Sequence, residues 1–175
     1  MGVTHISDNF QQNPHPFKVG ILTISDSGSA GEREIDVSGN TISEMILSGG
    51  MEGTSRDIIP DDKRTISEVL RLWSDGGEMD AILTTGGTGL GPRDVTPEAT
   101  RSILDIEIPG IPEAMRMESM KKTSFAMLSR SVSGVRSGCL IINLPGSPKG
   151  VSECLEIILS TLPHSLEMIR GWRTH

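Results

Sequence analysis

The residues of this 175-residue chain best suited to chemistry lie between Thr84 and Pro97, in the string TTGGTGLGPRDVTP. Gly86, Gly87, Thr88 and Gly89 follow a short apolar run. Glycines let a backbone approach a ligand closely and aim several N–H groups at one anion. The loop lacks the Gly-Lys-Ser/Thr ending of a Walker loop and is not a complete dinucleotide fingerprint. Taken alone, the tetrapeptide also reads as a plain tight turn. Arg93 and Asp94 sharpen it. A carboxylate beside an anion-binding loop is unfavourable unless a cation sits between them, so Asp94 reads as a Mg²⁺ ligand near a polyphosphate. The alternative for Asp94 is a helix cap or a partner for Arg93.

A second acid occurs in Pro60-Asp61-Asp62. Asp61 joins Asp94 around a metal, or else caps the helix that follows. Asn143-Leu144-Pro145-Gly146-Ser147 reads as a turn that aims backbone amides and the Ser147 hydroxyl at the same place, and Ser25-Asp26-Ser27-Gly28 is a polar loop behind an apolar run. Ser129 and Arg130 offer a hydroxyl and a guanidinium to phosphate, with a surface ion pair as the other reading of Arg130. The four histidines, His5, His15, His164 and His175, do not cluster, which argues against zinc. No Ser/His/Asp or Cys/His constellation presents itself.

These loops need elements to position them. Phe17–Ile24 is apolar and rich in β-branched residues, and reads as a first strand. Ser38–Leu47 reads as a helix stopped by Gly49-Gly50, and a second strand ends at Asp57–Pro60. Ile66, Val69, Leu70 and Trp73 fall on one helical face, capped by Thr65 with Glu68 or by Asp61 or Asp62. Ala81–Thr85 is the third strand, continuously apolar and so covered on both faces. Thr96-Pro97-Glu98 reads as cap, first-position proline and first-turn acid of a helix that Pro109-Gly110 breaks. Met115–Lys122 is a further helix, Cys139–Asn143 a further strand, and Val151, Cys154, Leu155, Ile158 and Leu162 form the stripe of a last helix. Strands alternating with helices imply an α/β fold of three layers, α/β/α, with a mostly parallel central sheet. Ligands of such sheets bind beyond the carboxyl ends of the strands, where Ser25–Gly28, Pro60–Asp62, Gly86–Asp94 and Pro145–Lys149 should meet. Residues 1–16 read as a flexible lead-in and 17–175 as one domain.

Bulk composition narrows the partners. A net charge of −7 argues against a nucleic-acid or membrane-surface binder, and the scarcity of aromatics, with no Tyr, argues against base-stacking platforms. No segment approaches a membrane span, and no signal peptide is evident, so a cytoplasmic location is expected. Cys139 and Cys154 sit among apolar residues and read as small buried hydrophobes, as do most of the nine methionines.

Together, Thr84–Thr100 (TTGGTGLGPRDVTPEAT), Ile24–Ser27 (ISDS), Ile59–Asp61 (IPD) and Ile142–Ser147 (INLPGS) resemble the MogA/MoaB family of molybdenum-cofactor biosynthesis proteins. The likeness is in particular to the molybdopterin adenylyltransferases, including the G domain of gephyrin, and runs from about Lys18 to Trp172 with the motifs in the same order. It implies a transferase that passes AMP from ATP to molybdopterin with Mg²⁺ and releases pyrophosphate. It also implies a homotrimer that hands its product to a molybdenum-insertion enzyme. Asp61 and Asp94 match the two acids linked to catalysis and would hold the Mg²⁺. Ser25, Asp26, Gly86, Gly87, Thr88, Gly89, Ser129, Asn143, Pro145, Gly146 and Ser147 would line the nucleotide and pterin pocket, joined by their neighbours Ser27, Thr85, Arg93 and Arg130. The competing expectation is a non-catalytic paralogue that carries pterin or cofactor; the intact RDVTP string favours the enzyme.

Overall fold

A computed structural model describes residues 16–31 and 35–171, so all of the expected lead-in except Pro16 lies outside the described residues. The strands are β1 (Lys18–Ile24), β2 (Glu52–Ile59), β3 (Ala81–Thr85), β4 (Ile106–Glu107), β5 (Ser133–Arg136) and β6 (Cys139–Leu144). The helices are α1 (Asp26–Ser29), α2 (Val37–Ser48), α3 (Lys63–Asp75), α4 (Thr96–Arg101), α5 (Gly110–Met120), α6 (Pro148–Ile158) and α7 (Leu162–Ile169), with a 3-10 turn over Ser124–Leu128. One sheet runs in the order β2-β1-β3-β6-β5-β4. Its first four strands are parallel, and β5 and β4 continue it antiparallel.

The three-layer expectation holds because β1, β3 and β6 are apolar on both faces. Val19, Ile21, Leu83 and Ile142 pack on one side with Ile42 and Ile46 of α2, Met115 of α5, and Val151 and Leu155 of α6. Leu22, Ile82 and Ile141 pack on the other with Ile66 and Leu70 of α3 and with Ala99 and Ile103. The alternation of side chains along each strand thus divides the core into two layers with the sheet between them.

Several boundaries differ from the sequence reading, each for a local reason. The segment before Cys139 forms a hairpin, β5–β6, turning at Ser137 and Gly138 with φ of 49° and 79°. A two-residue turn with both φ positive matches strand twist, but Ser-Gly is a weaker hairpin signal than Asn-Gly. Pro109-Gly110 opens α5 rather than ending a helix, since α4 already stops at Arg101. The apolar stripe through Leu162 belongs to two helices, α6 and α7, the second with a proline in its first turn. Asp62 caps α3 by accepting from Thr65 N at 2.8 Å, so Thr65 is not the cap. At α4 the residue in the cap position is Val95, with no side-chain cap bond.

At the amino ends of the strands, the Asp80 carboxylate accepts from Lys18 N at 2.8 Å and from Arg170 Nε at 2.8 Å. The Arg170 guanidinium lies 4.8 Å from the Phe17 ring centre. This latch ties the segment after α7 to the start of β1. No helix among the described residues is long and apolar enough to cross a membrane.

Candidate active site at the carboxyl rim

The parallel register sets Ile24 beside Ile59, Thr23 beside Thr85, and Thr85 beside Leu144. Four strands therefore end together, and the four polar loops leave from one rim. Backbone bonds knit them there, Ser25 N to Ile59 O at 2.8 Å and Gly86 N to Leu144 O at 3.3 Å. Gly86 has φ of 104°, and a Cβ on it would stand 2.2 Å from Ile24 O. Gly87 has φ of 63°, and its Cβ would meet Thr96 Oγ1 at 2.3 Å and Asp61 Oδ1 at 3.0 Å. Only glycine permits both the left-handed backbone and the close approach. Thr96, released from capping, donates to Gly86 O at 3.0 Å, so α4 holds the loop from below.

Three carboxylates surround this loop. Asp26 and Asp61 exchange bonds, Asp26 N to Asp61 Oδ2 at 2.9 Å and Asp61 N to Asp26 Oδ1 at 3.0 Å. Arg93 grips Asp26 with both Nε and Nη2, at 3.0 and 2.9 Å. Asp94 accepts from Gly91 N at 2.7 Å. The Arg93 hydrogen bonds hold the Asp26 carboxyl below its ordinary value. Asp61 moves the other way. Partial burial raises it, and the charges of Asp26 and Asp94 raise it further, against a backbone bond and Arg93. Asp61 and Asp94 thus feel one another across the glycine loop. Neither caps the helix that follows it, since Asp62 and Val95 stand in those positions, and Arg93 pairs with Asp26 rather than with Asp94. Among the described residues no group of three or more His, Cys, Asp or Glu side chains is arranged around a common point.

Two cavities open on the rim. The first, about 230 Å³, is polar and is bounded by Ser25, Asp61, Gly86, Gly87, Asp94 and Gly146, with Thr23, Asp36 and Ser38. The second, about 300 Å³, is largely apolar and takes Thr88, Gly89, Ser129, Pro145 and Ser147 on one side and Met115, Phe125, Leu128 and Cys154 on the other. The glycine loop is the wall between them.

Not every expected residue reaches a cavity. Asn143 is wholly buried, donating from Nδ2 to Thr84 Oγ1 at 3.0 Å and Thr100 Oγ1 at 2.9 Å and accepting from Val132 N at 3.3 Å. It braces β6 against β3 and α4. Thr85 is buried too, its hydroxyl donating to Pro145 O at 2.6 Å. Arg130 forms the ion pair of its other reading, with Glu98, and donates to the carbonyls of Gly89 and Asp94. Asp26, Ser27 and Arg93 stand outside both cavities, Ser27 Oγ lying 3.3 Å from Ser25 Oγ. The Ser25 and Ser147 hydroxyls cap α1 and α6.

Three residues of the rim escaped the sequence reading. Asp36 caps α2 and accepts from Thr23 Oγ1 at 2.7 Å and Arg56 Nη2 at 2.8 Å, which together keep its carboxyl below its ordinary value despite burial. Ser38 donates to Gly146 O at 2.8 Å. An acid-x-Ser-Gly string ahead of a helical stripe was the available signal. Arg116, which donates to Ser129 O at 3.3 Å beside the apolar cavity, carried none.

Comparison with known proteins agrees with this geometry. The family model described as a probable molybdopterin binding domain matches residues 20–164. A molybdopterin adenylyltransferase of Helicobacter pylori J99 is 40% identical over 156 residues, covering 87% of this chain and 88% of that protein. The molybdenum cofactor synthesis protein cinnamon of Drosophila melanogaster is 45% identical over 153 residues, covering 86% of this chain, which spans only 25% of that longer protein. The crystal structure of the molybdopterin biosynthesis enzyme MoaB from Thermus thermophilus superposes with a TM-score of 0.83 at 52% identity, over 90% of this chain and 99% of that one. The chain belongs to the molybdopterin-binding domain family of molybdenum-cofactor biosynthesis proteins.

Proposed function

We propose that this rim transfers AMP from ATP to molybdopterin and releases pyrophosphate. The observation that carries the reading is the pairing of Asp61 and Asp94 across Gly87 and Gly89, with both acids facing one polar cavity. A phosphate oxygen of molybdopterin forms the new bond to the α-phosphorus of ATP, and the bond to pyrophosphate breaks. Two polyanions must be brought together, so the obstacle is electrostatic. The backbone N–H groups of residues 87–89 supply fixed donors, that of Gly86 being spent on Leu144 O. Asp61 and Asp94 suit Mg²⁺, which takes one or two carboxylates and completes its shell with phosphates and water. When bound, the ion supplies positive charge to the phosphate oxygens. The apolar cavity beyond the loop, lined by Phe125 and Leu128, suits a flat heterocycle. No side-chain nucleophile is required.

The family resemblance supports three further parts of the proposal: a homotrimer, a cytoplasmic location, and delivery of the product to a molybdenum-insertion enzyme. Light scattering of the purified chain tests the first. The central test is pyrophosphate release from ATP and molybdopterin with and without Mg²⁺, comparing the unmodified chain with Asp61→Ala and Asp94→Ala. Turnover by the first alone is expected. Tight pterin binding without turnover in the unmodified chain would make it a carrier instead.

A further inference from the structure

Arg130 lies outside both cavities, yet it is the side chain most engaged with the catalytic loop. Its Nε donates to Gly89 O at 2.7 Å, Nη2 reaches Asp94 O, and its own backbone N donates to Thr88 O at 3.0 Å. It therefore touches the loop at both ends of the Gly89–Asp94 turn, the turn whose inner bond is Gly91 N to the Asp94 carboxylate. A second observation concerns its counter-ion. Glu98 in the first turn of α4 pairs with Arg130 Nη1, and the other Glu98 oxygen is buried with no hydrogen-bond partner. On the far side, Arg116 fixes Ser129 O, immediately before Arg130.

We propose that Arg130 is a positioning residue that clamps the Gly89–Asp94 turn and so sets where the Asp94 carboxylate stands, with Glu98 holding the guanidinium flat. The inference rests on adenylyl transfer at the rim. It assigns Arg130 to the turn rather than to phosphate. Three donors on one rigid fork reach two carbonyls and a carboxylate; a lysine ammonium cannot match that spread. A misplacement of about 1 Å at the reacting groups costs on the order of a hundredfold in rate.

The test uses the full chain with Arg130→Gln, Arg130→Lys and Glu98→Gln, the last keeping the shape of the pair should the first fail to fold. Pyrophosphate release gives kcat and KM, calorimetry gives the folded fraction, and hydrogen exchange reads amide protection over residues 88–94. The expected result for Arg130→Gln is a loss of about a hundredfold in kcat per folded molecule, KM for ATP changed less than threefold, and lost protection in the turn. Arg130→Lys should recover part of the kcat and Glu98→Gln should fall between. A raised KM for ATP at unchanged kcat would make Arg130 a phosphate contact and overturn the proposal. Lower stability with unchanged kcat per folded molecule, or unchanged protection, overturns it too. If the unmodified chain shows no turnover, the transfer reading falls, while lost protection in Arg130→Gln still establishes the clamp.

Discussion

Asp26 and Asp61 hold each other. Each carboxylate accepts from the other's backbone N–H, at 2.9 and 3.0 Å, so two negative groups are locked together at the rim. Arg93 neutralises one of them, Asp26, and leaves Asp61 as the acid that burial and its neighbours make reluctant to ionise. Burial and the neighbouring charges therefore make the ionised Asp61 costly in the folded protein.

Asp61→Asn should therefore separate stability from activity. A folded-state value above the ordinary 3.8 means that the folded protein binds more protons than the unfolded chain between that value and the raised one. Stability falls as pH rises through this window, and at neutral pH the ionised carboxylate is a net burden. Asparagine keeps an acceptor for Asp26 N and drops the charge. Calorimetry at pH 7 is expected to show Tm higher by about 1–2 °C, with the difference gone near about pH 4, after discounting for solvent screening. Pyrophosphate release should fall about 100-fold or more.

Arg93→Gln should move the acid side of the pH–rate profile. Arg93 lowers Asp61, so its removal raises Asp61 further, and the fall in kcat/KM on acidification should begin closer to neutrality. The comparison needs full pH profiles of both proteins; an acid limb that stays in place or moves to lower pH would contradict this account.

Gly86→Ala is expected to cost about 2–3 kcal/mol, from a left-handed backbone and an overlap with a carbonyl rather than with a movable side chain. The corresponding loss in Tm is about 8 °C. Gly31→Ala, also at positive φ but with open space around its Cβ, serves as the control and should cost less.

Asn143→Ala tests the reassignment of that residue to the interior. It strands the hydroxyls of Thr84 and Thr100 and the amide of Val132, at an expected cost of about 2–3 kcal/mol. Denaturant unfolding should register the loss, while KM for either substrate changes little in the folded fraction.

The thiols should be slow. Burial pushes the Cys139 thiol up to about 12, and it raises Cys154 as well. Iodoacetamide at about pH 8 should leave Cys139 unmodified in the folded protein, since the thiolate is the reacting species.

How much of this was legible beforehand depends on what each residue contacts. The strands β1, β3 and β6 announce themselves, because burial on both faces demands unbroken apolar runs. The meeting of the four loops follows from parallel topology alone. Asp61 and Asp94 stood out as acids where anions are expected. Asn143 misled because a polar side chain near a binding loop reads as a ligand contact, while its hydrogen bonds are spent inside the fold; for Arg130 the ion pair, its other reading, is what forms, with Glu98 as the partner. The two-residue β4 was invisible, since its pairing with β5 is decided by a distant hairpin. Asp36 was hidden as an ordinary helix cap.

The Asp80 latch gathers Lys18 and Arg170 onto one carboxylate at the amino ends of the strands, while the cavities open at the opposite ends. Both points where the described chain is tied off therefore lie away from the chemistry. The latch and the cavities thus sit at opposite ends of the parallel strands, so the closure of the fold and the chemistry of its rim draw on separate residues.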